Sequence, residues 1–342
     1  MRPLRIALLG FGNVGQRFAS RLRGDYGRVL RAAGASPRLT GIATARHGSA
    51  MRPGGLDVGR CLALVRAGRP LDALHHGPPV ASAADFIRRV PADVLVELTP
   101  LDPRRGEPAT SHVRMALRRG LHVVTANKGP VAFALRRLQA LARRRRRLFL
   151  HEGVVMDGMP VFNLARRCLP GAKVLGFRGT LNSTTSHILG RMEEGRTAAE
   201  ALREAQAAGI AEADPSLDLE GWDAAVKGCA LANALMGASV RPPHVRRRGI
   251  GGISGDEVRA ARAGGSRLRL VVRGRRDGRS VRVAVGPERV PLGDPLSGPG
   301  ADSALVLETD LMGEIGLVER GGTLDQTAYA VVSDLVAIAE AR

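Results

Sequence analysis

The sequence predicts an α/β protein: an N-terminal doubly wound parallel sheet, then a second domain of α+β type. Three observations predict it. Residues 4–9 (LRIALL) are a continuous apolar run of the kind buried in a parallel strand, and they lead through Gly10-Phe11-Gly12-Asn13-Val14-Gly15 into an amphipathic segment. Two more such runs, 93–99 (DVLVELT) and 122–125, alternate with helical periods over about 108–119 and 133–147. Farther on the pattern changes, and 268–274 and 280–285 read as a hairpin across Asp277-Gly278.

The first element carries the most chemistry. Strand, G-x-G-x-x-G and helix in that order make a Rossmann-type dinucleotide site. The glycines permit a tight turn, close approach of a pyrophosphate to the backbone and close helix packing, and the helix N-terminus faces the phosphates. Gly10, Phe11, Gly12, Asn13, Val14 and Gly15 are therefore cofactor-binding candidates. The second strand, 39–44, runs into Thr44-Ala45-Arg46-His47. It lacks the acid that would bind the ribose hydroxyls of NAD, and Arg46 can pair with a 2′-phosphate, so NADP is favoured over NAD. The strands ending at 99 and 125 finish on the same edge as the glycine loop, which places Thr99 and Lys128 beside the cofactor.

Composition narrows the function classes. The 342 residues suffice for two cores. A formal net charge of +20 suggests a polyanion partner, but of the 52 basic residues only Lys128, Lys173 and Lys227 are lysine. Arginine has filled nearly every cationic position, which reads as a coding bias. The five arginines 143–147 suit a helix C-terminus, and with 3% aromatic residues the chain lacks stacking platforms, so nucleic-acid binding is disfavoured. The retained lysines gain interest because arginine does not give up its proton in a protein. Cys61, Cys168 and Cys229 are odd in number and widely spaced, which fits buried thiols in a reducing compartment. His75-His76 has no further ligand at metal spacing and reads as surface. No apolar run is long enough to span a membrane and no signal peptide opens the chain, so a soluble cytoplasmic protein without a membrane partner is expected.

The densest acid in this basic chain lies in 209–227, GIAEADPSLDLEGWDAAVK. Asp214-Pro215 sets a turn, and Asp218 reads as the N-cap of a helix running on through Trp222 to Leu231. Asp223 and Lys227 are four apart and share a face. An acidic edge with one ammonium over it suits a small cationic substrate that exchanges a proton. A salt-bridged, solvated helix start is the plainer reading of this stretch alone. Upstream, a strand over 174–181 ends in Asn182-Ser183-Thr184-Thr185-Ser186, hydroxyls that can cap a helix or bind a carboxylate. The last helix, 326–339, is amphipathic and is expected to pack back on the nucleotide domain.

Taken together, GFGNVG at 10–15, TANKGPVA at 125–132, NSTTSHIL at 182–189, the 209–227 stretch, ISGDEV at 253–258, ALVLETDLMGE at 304–314 and TAYAVVSDL at 327–335 resemble homoserine dehydrogenase. The match is collinear over nearly the whole chain. It implies interconversion of L-homoserine and L-aspartate 4-semialdehyde with NADP or NAD, in threonine and methionine synthesis, by a homodimer or homotetramer. The implied domains are 1–130 for the dinucleotide, with 319–342 packing back on it, and 131–318 for substrate binding, catalysis and dimerisation. Lys227 would handle the substrate proton and Lys128 would lie near substrate and nicotinamide. Glu212 and Asp223 would bind the substrate's polar groups, Thr184 would assist, and Asp218 would shape the site. Gly321 belongs to the loop before the last helix. The family's monovalent cation, sodium, would match Glu152, Val155, Asp157 and Met159, partly through backbone carbonyls.

The sequence departs from the family in places. The loop is Glu319-Arg320-Gly321-Gly322, with a bulky arginine, and Ile210 stands where an aromatic is usual. The chain ends without the regulatory domain many relatives carry, so threonine feedback through such a domain is not expected. Two alternatives stay open. One is another Rossmann-type reductase such as aspartate-semialdehyde dehydrogenase, whose cysteine nucleophile finds no convincing setting here; the other is a basic nucleic-acid-binding protein.

Overall fold

β1 (Arg2–Leu9) is the centre of a six-stranded sheet, and it is inaccessible to water from Ile6 to Leu8. The computed structural model describes residues 1–341. They form two units, one of Met1–Pro160 with the C-terminal segment from Thr323, the other Val161–Gly322.

In the first unit β1 leads through α1 (Asn13–Arg21) and α2 (Asp25–Ala32) to β2 (Ala35–Ala43) and a short β3 (Ser49–Met51). Helices α3 (Val58–Arg66) and α4 (Ala83–Arg89) precede β4 (Val94–Glu97); α5 (Ala109–Arg119), β5 (His122–Thr125), α6 (Lys128–Arg144) and β6 (Phe149–Leu150) follow. The sheet order is β3-β2-β1-β4-β5-β6. All pairs are parallel except β2–β3, a tight return that needs no crossover helix. Thus α6 and β6, although they follow residue 130, complete this sheet. The final helix α13 (Leu324–Glu340) starts at a Thr323/Gln326 capping box. It packs Ala328, Val331, Val332, Leu335 and Ile338 into one core with Leu4, Ile6 and Leu8 of β1 and Phe18 of α1.

The second unit carries α7 (Val161–Asn163), β7 (Val174–Thr180), α8 (Ser183–Glu193), α9 (Ala198–Ala207), α10 (Ser216–Leu219), α11 (Trp222–Leu235), β8 (Arg246–Arg247), α12 (Gly255–Ala263), β9 (Ser266–Asp277), β10 (Ser280–Pro291), β11 (Ser303–Thr309) and β12 (Gly313–Glu319). Its sheet runs β12-β11-β7-β9-β10-β8 and is antiparallel apart from the β8–β10 edge. Val271, Val290, Leu296, Ala304 and Val306 make a small core on it. Glycine lets α11 approach closely: a Cβ on Gly228 would stand 2.5 Å from Val272 Cγ2.

Several local expectations need correcting. The helix expected from 133 begins at Lys128, capped by the Asn127 side chain. Pro130 lies in its first turn, where the missing N–H costs nothing. Asp218 is not the N-cap of a long helix. It lies inside the one-turn α10, and Gly221, with φ +78°, breaks the chain before α11 starts at Trp222. Cys168 is exposed, unlike Cys61 and Cys229. Of the two adjacent histidines, His75 accepts the Met51 N–H on Nδ1 (3.1 Å), tying its turn to β3.

Candidate active site

The turn after β1 shows what each glycine does. Gly10 has φ +101°, and a Cβ there would lie 2.5 Å from the Leu98 carbonyl oxygen; a Cβ on Gly15 would lie 2.8 Å from the Gly10 oxygen. Both are held by backbone packed against them. Gly12 differs: its Cβ would meet nothing within 4 Å. It is the N-cap of α1, without a side-chain cap and without an acid in the first turn. Uncapped helix N–H groups beside open space form a cradle for a pyrophosphate, which fits a dinucleotide. Asn13 is exposed and Val14 half-buried, whereas the Phe11 ring is buried in the core and leaves only its backbone to the turn.

Along the same sheet edge, Thr99 and Lys128 follow β4 and β5. Lys128 is the half-buried first residue of α6. Asn127 caps that helix by accepting the Gly129 N–H (2.8 Å), and its amide donates to the carbonyls of Thr99 (2.8 Å) and Pro100 (3.2 Å). Arg46 is exposed in the turn after β2.

Glu152, Val155, Asp157 and Met159 lie in one loop of the first unit. Glu152 and Val155 are buried, and the backbone at Met156 and Asp157 takes positive φ values of 53° and 45°. Two contacts hold this costly conformation. The Glu152 N–H donates to Asp334 Oδ2 (2.9 Å), and the Thr327 hydroxyl donates to Asp157 Oδ1 (3.1 Å). Among the described residues no cluster of three or more His, Cys, Asp or Glu forms a metal site. A cation in this loop would depend on main-chain oxygens.

In the second unit the acidic stretch folds over the β7–α8 junction. Lys227 Nζ lies 2.8 Å from Asp223 Oδ2 and also donates to the Leu181 carbonyl, with both side chains largely buried. Asn182 Nδ2 bridges the two acids, at 2.7 Å from Asp218 Oδ1 and 3.0 Å from Asp223 Oδ2. Its Oδ1 caps α8 by accepting the Thr185 N–H (2.9 Å). The Thr184 hydroxyl donates to the Ile210 carbonyl (3.1 Å), which fixes the start of the acidic loop. Burial and the neighbouring Asp223 charge raise the pKa of Asp218, opposed by hydrogen bonds from Asn182 and Thr184 and by the charge of Lys227.

The stretch therefore divides. Asp218, Asp223 and Lys227 converge with Asn182, a residue given no role from sequence. Its signal was its place at the end of a strand before a helix, where a cap is expected. Glu212 is exposed on the preceding loop, and Glu220 turns to a separate cavity with Arg247 and Arg248. There the Arg247 guanidinium lies 3.5 Å from the centre of the Trp222 ring. Gly321 has φ +59°, is exposed, and donates its N–H to Asp302 Oδ1 (3.2 Å).

The raised pKa of Asp218 has a consequence for stability. A carboxyl whose folded pKa is raised binds its proton more tightly folded than unfolded, so its charged form opposes folding above that pKa. The penalty fades as the pH falls through the folded pKa. Asp218→Asn should raise the melting temperature at neutral pH, and the gain should shrink in acid. Thermal unfolding at both pH values checks this; an equal gain in acid excludes the carboxylate as its source.

A glycine turn at the carboxyl edge of a parallel sheet, with a lysine, two carboxylates and an amide clustered in a second unit, defines an oxidoreductase of the nicotinamide-dinucleotide class. Family models agree: one described as homoserine dehydrogenase, NAD binding domain, matches residues 10–152, and one described as homoserine dehydrogenase matches 160–336. An NAD(+)-dependent homoserine dehydrogenase of Pseudomonas canavaninivorans is 36% identical over 341 residues, 99% of this chain and 97% of that protein. The homoserine dehydrogenase of Methanocaldococcus jannaschii is 36% identical over 336 residues, covering 97% and 98%. A hyperthermophilic archaeal homoserine dehydrogenase solved in complex with NADPH superposes with a TM-score of 0.83 at 27% identity, covering 98% of this chain and 97% of that one. The chain belongs to the homoserine dehydrogenase family. It is an oxidoreductase acting on a CH–OH group with a nicotinamide cofactor, and among its described residues no helix is long and apolar enough to cross a membrane.

Proposed function

We propose that Lys227 is the proton-handling group in the interconversion of L-homoserine and L-aspartate 4-semialdehyde. The observation that carries this is the lysine's setting: its ammonium is held between the Asp223 carboxylate and the Leu181 carbonyl, so its position is fixed before substrate arrives. When bound, the dinucleotide supplies or accepts the hydride at the substrate's terminal carbon. In reduction Lys227 donates a proton to the aldehyde oxygen as alkoxide charge develops; in oxidation, neutral, it takes the hydroxyl proton. Oxidation is therefore favoured at alkaline pH. Asp223 orients the lysine and, with Glu212, answers the substrate's polar groups. Asp218 shapes that acidic edge and Thr184 holds its loop.

Gly10, Gly12, Asn13, Val14, Gly15, the Phe11 backbone, Thr99, Lys128 and Gly321 are proposed to bind the cofactor, with Lys128 also near the reacting groups. Arg46 is proposed to favour NADP by pairing with the 2′-phosphate. The relatives include both an NAD(+)-dependent enzyme and an NADPH complex. Homoserine oxidation assayed side by side with NAD and NADP tests function and preference together. NADP is expected to give the higher kcat/KM, and Arg46→Ala should lower it by about tenfold, an effect of one exposed charged contact, leaving NAD unchanged. Equal loss with both cofactors would remove Arg46 as the selector.

Sodium is proposed at the loop of Glu152, Val155, Asp157 and Met159. Exchange of sodium for choline at constant ionic strength should lower activity, and activity indifferent to that exchange would remove the cation from the mechanism. The working form is proposed to be a cytoplasmic homodimer or homotetramer, to be read by light scattering of the purified protein.

A further inference from the structure

A glutamate ends β4 with no solvent exposure at all, although the rest of that strand is apolar. Glu97 Oε1 accepts the Thr99 N–H (3.1 Å) and the Thr99 hydroxyl, and Oε2 accepts the Thr125 hydroxyl (3.1 Å), which also reaches the Glu97 carbonyl (3.0 Å). Glu97 and Thr125 are register partners at the ends of β4 and β5. From Thr125 the chain of contacts continues: its Oγ1 accepts the Asn127 N–H (3.0 Å), and Asn127 caps the helix that begins with Lys128 while its amide grips the Thr99 carbonyl. His112 Nδ1 stands 3.8 Å from Oε1.

A fully buried carboxylate is costly unless donors surround it. Here the donors are the groups that start the two loops on the ligand edge of the sheet. An acceptor-only carboxylate suits three donors, and an amide would turn its own N–H groups toward one of them. The same edge touches the glycine turn, because Gly10 packs on the Leu98 carbonyl one residue after Glu97.

We propose that Glu97 is a positioning residue for the dinucleotide: by clamping Thr99 and Thr125 it fixes where Thr99 and Lys128 stand on the cofactor edge. This rests on the reading that the cofactor lies along that edge. A purely structural role would cost stability without selecting one ligand. NADPH fluorescence titration and steady-state kinetics on wild type, Glu97→Gln, Thr99→Val and the double variant separate the two.

Glu97→Gln should weaken NADPH binding by about tenfold, the loss expected when one buried contact is mismatched, while KM for homoserine stays within about twofold. The double variant should bind no more weakly than Glu97→Gln alone, since the Thr99 hydroxyl donates to Glu97 and acts through that bond, leaving the Thr99 backbone to face the cofactor in both variants. Unchanged NADPH affinity in Glu97→Gln, or losses that multiply fully in the double variant, would overturn the proposal. If Glu97→Gln does not fold, Glu97→Asp decides, because it keeps the carboxylate but draws it back from Thr99 and Thr125 while the Thr125–Asn127 contact stays in place. An NADPH affinity weakened about threefold or more supports the clamp, and an unaltered one overturns it. A wild-type protein that does not bind NADPH would instead refute the cofactor reading on which this rests.

Discussion

Lys227→Met should cut turnover by about 10²–10⁴-fold, the usual worth of a positioned general acid or base, in a protein that still folds. Methionine matches the length and apolar stem of lysine, so α11 loses no packing. Asp223 keeps its hydrogen bond from Asn182 and lies in the first turn of α11, where a carboxylate is favoured. Binding of NADPH should be unaffected. Lys227→Arg should fail to a similar degree: it restores charge but cannot cycle a proton at any usable pH. The assay is single-turnover homoserine oxidation across pH. Near-normal turnover in Lys227→Met, or recovery in Lys227→Arg, would remove Lys227 from proton transfer. The rise in oxidation rate with alkaline pH should vanish in the methionine variant.

The largest stability effect is expected at a buried ion pair in the second unit. Arg269 on β9 is 1% exposed, and burial pulls its pKa down against the opposing Glu193 charge. Its guanidinium meets Glu193 Oε1 (3.0 Å) and the carbonyls of Leu268 (2.9 Å) and Gly298 (3.0 Å), tying β9 to α8 and to the turn before β11. Its Nε finds no hydrogen-bond partner among the described residues. Glu193→Ala leaves this cation buried without a counter-charge and should cost about 3–5 kcal/mol in urea unfolding. Arg269→Met should cost much less, because it removes the desolvated charge itself and Glu193 retains Arg267 at 3.6 Å. Equal losses in the two variants would mean that packing, not the unpaired charge, sets the effect.

The two variants differ in how visible they were beforehand. Lys227 stood out as one of three lysines among 52 basic residues, four positions after an aspartate. Arg269 did not stand out, since in so arginine-rich a chain nothing local separates a buried arginine from a solvated one. Glu97 gave a signal that passed as part of a strand, an acid at the end of the apolar run DVLVELT. Asn182 was read only as part of a hydroxyl-rich junction. In each case the missing fact was a partner distant in sequence: Glu193 for Arg269, Thr125 for Glu97, Asp218 and Asp223 for Asn182.

By itself the sequence determined the strand–turn–helix that opens the fold, because β1 and the glycine spacing depend only on neighbouring residues. It determined the parallel sheet through its apolar runs, and it marked the pair Asp223 and Lys227, which share a helix face four residues apart. Only the tertiary structure decided that Gly221 separates Asp218 from that helix, that Asn182 joins the two acids, and that Glu220 lines a separate cavity with Arg247. The packing of the last helix on the first unit was expected from its amphipathic pattern; the structure supplied the residues it seals against, Leu4, Ile6, Leu8 and Phe18. Periodicity and spacing report contacts made within one element. Contacts across elements depend on how buried polar groups find partners, and only the folded chain brings those partners together.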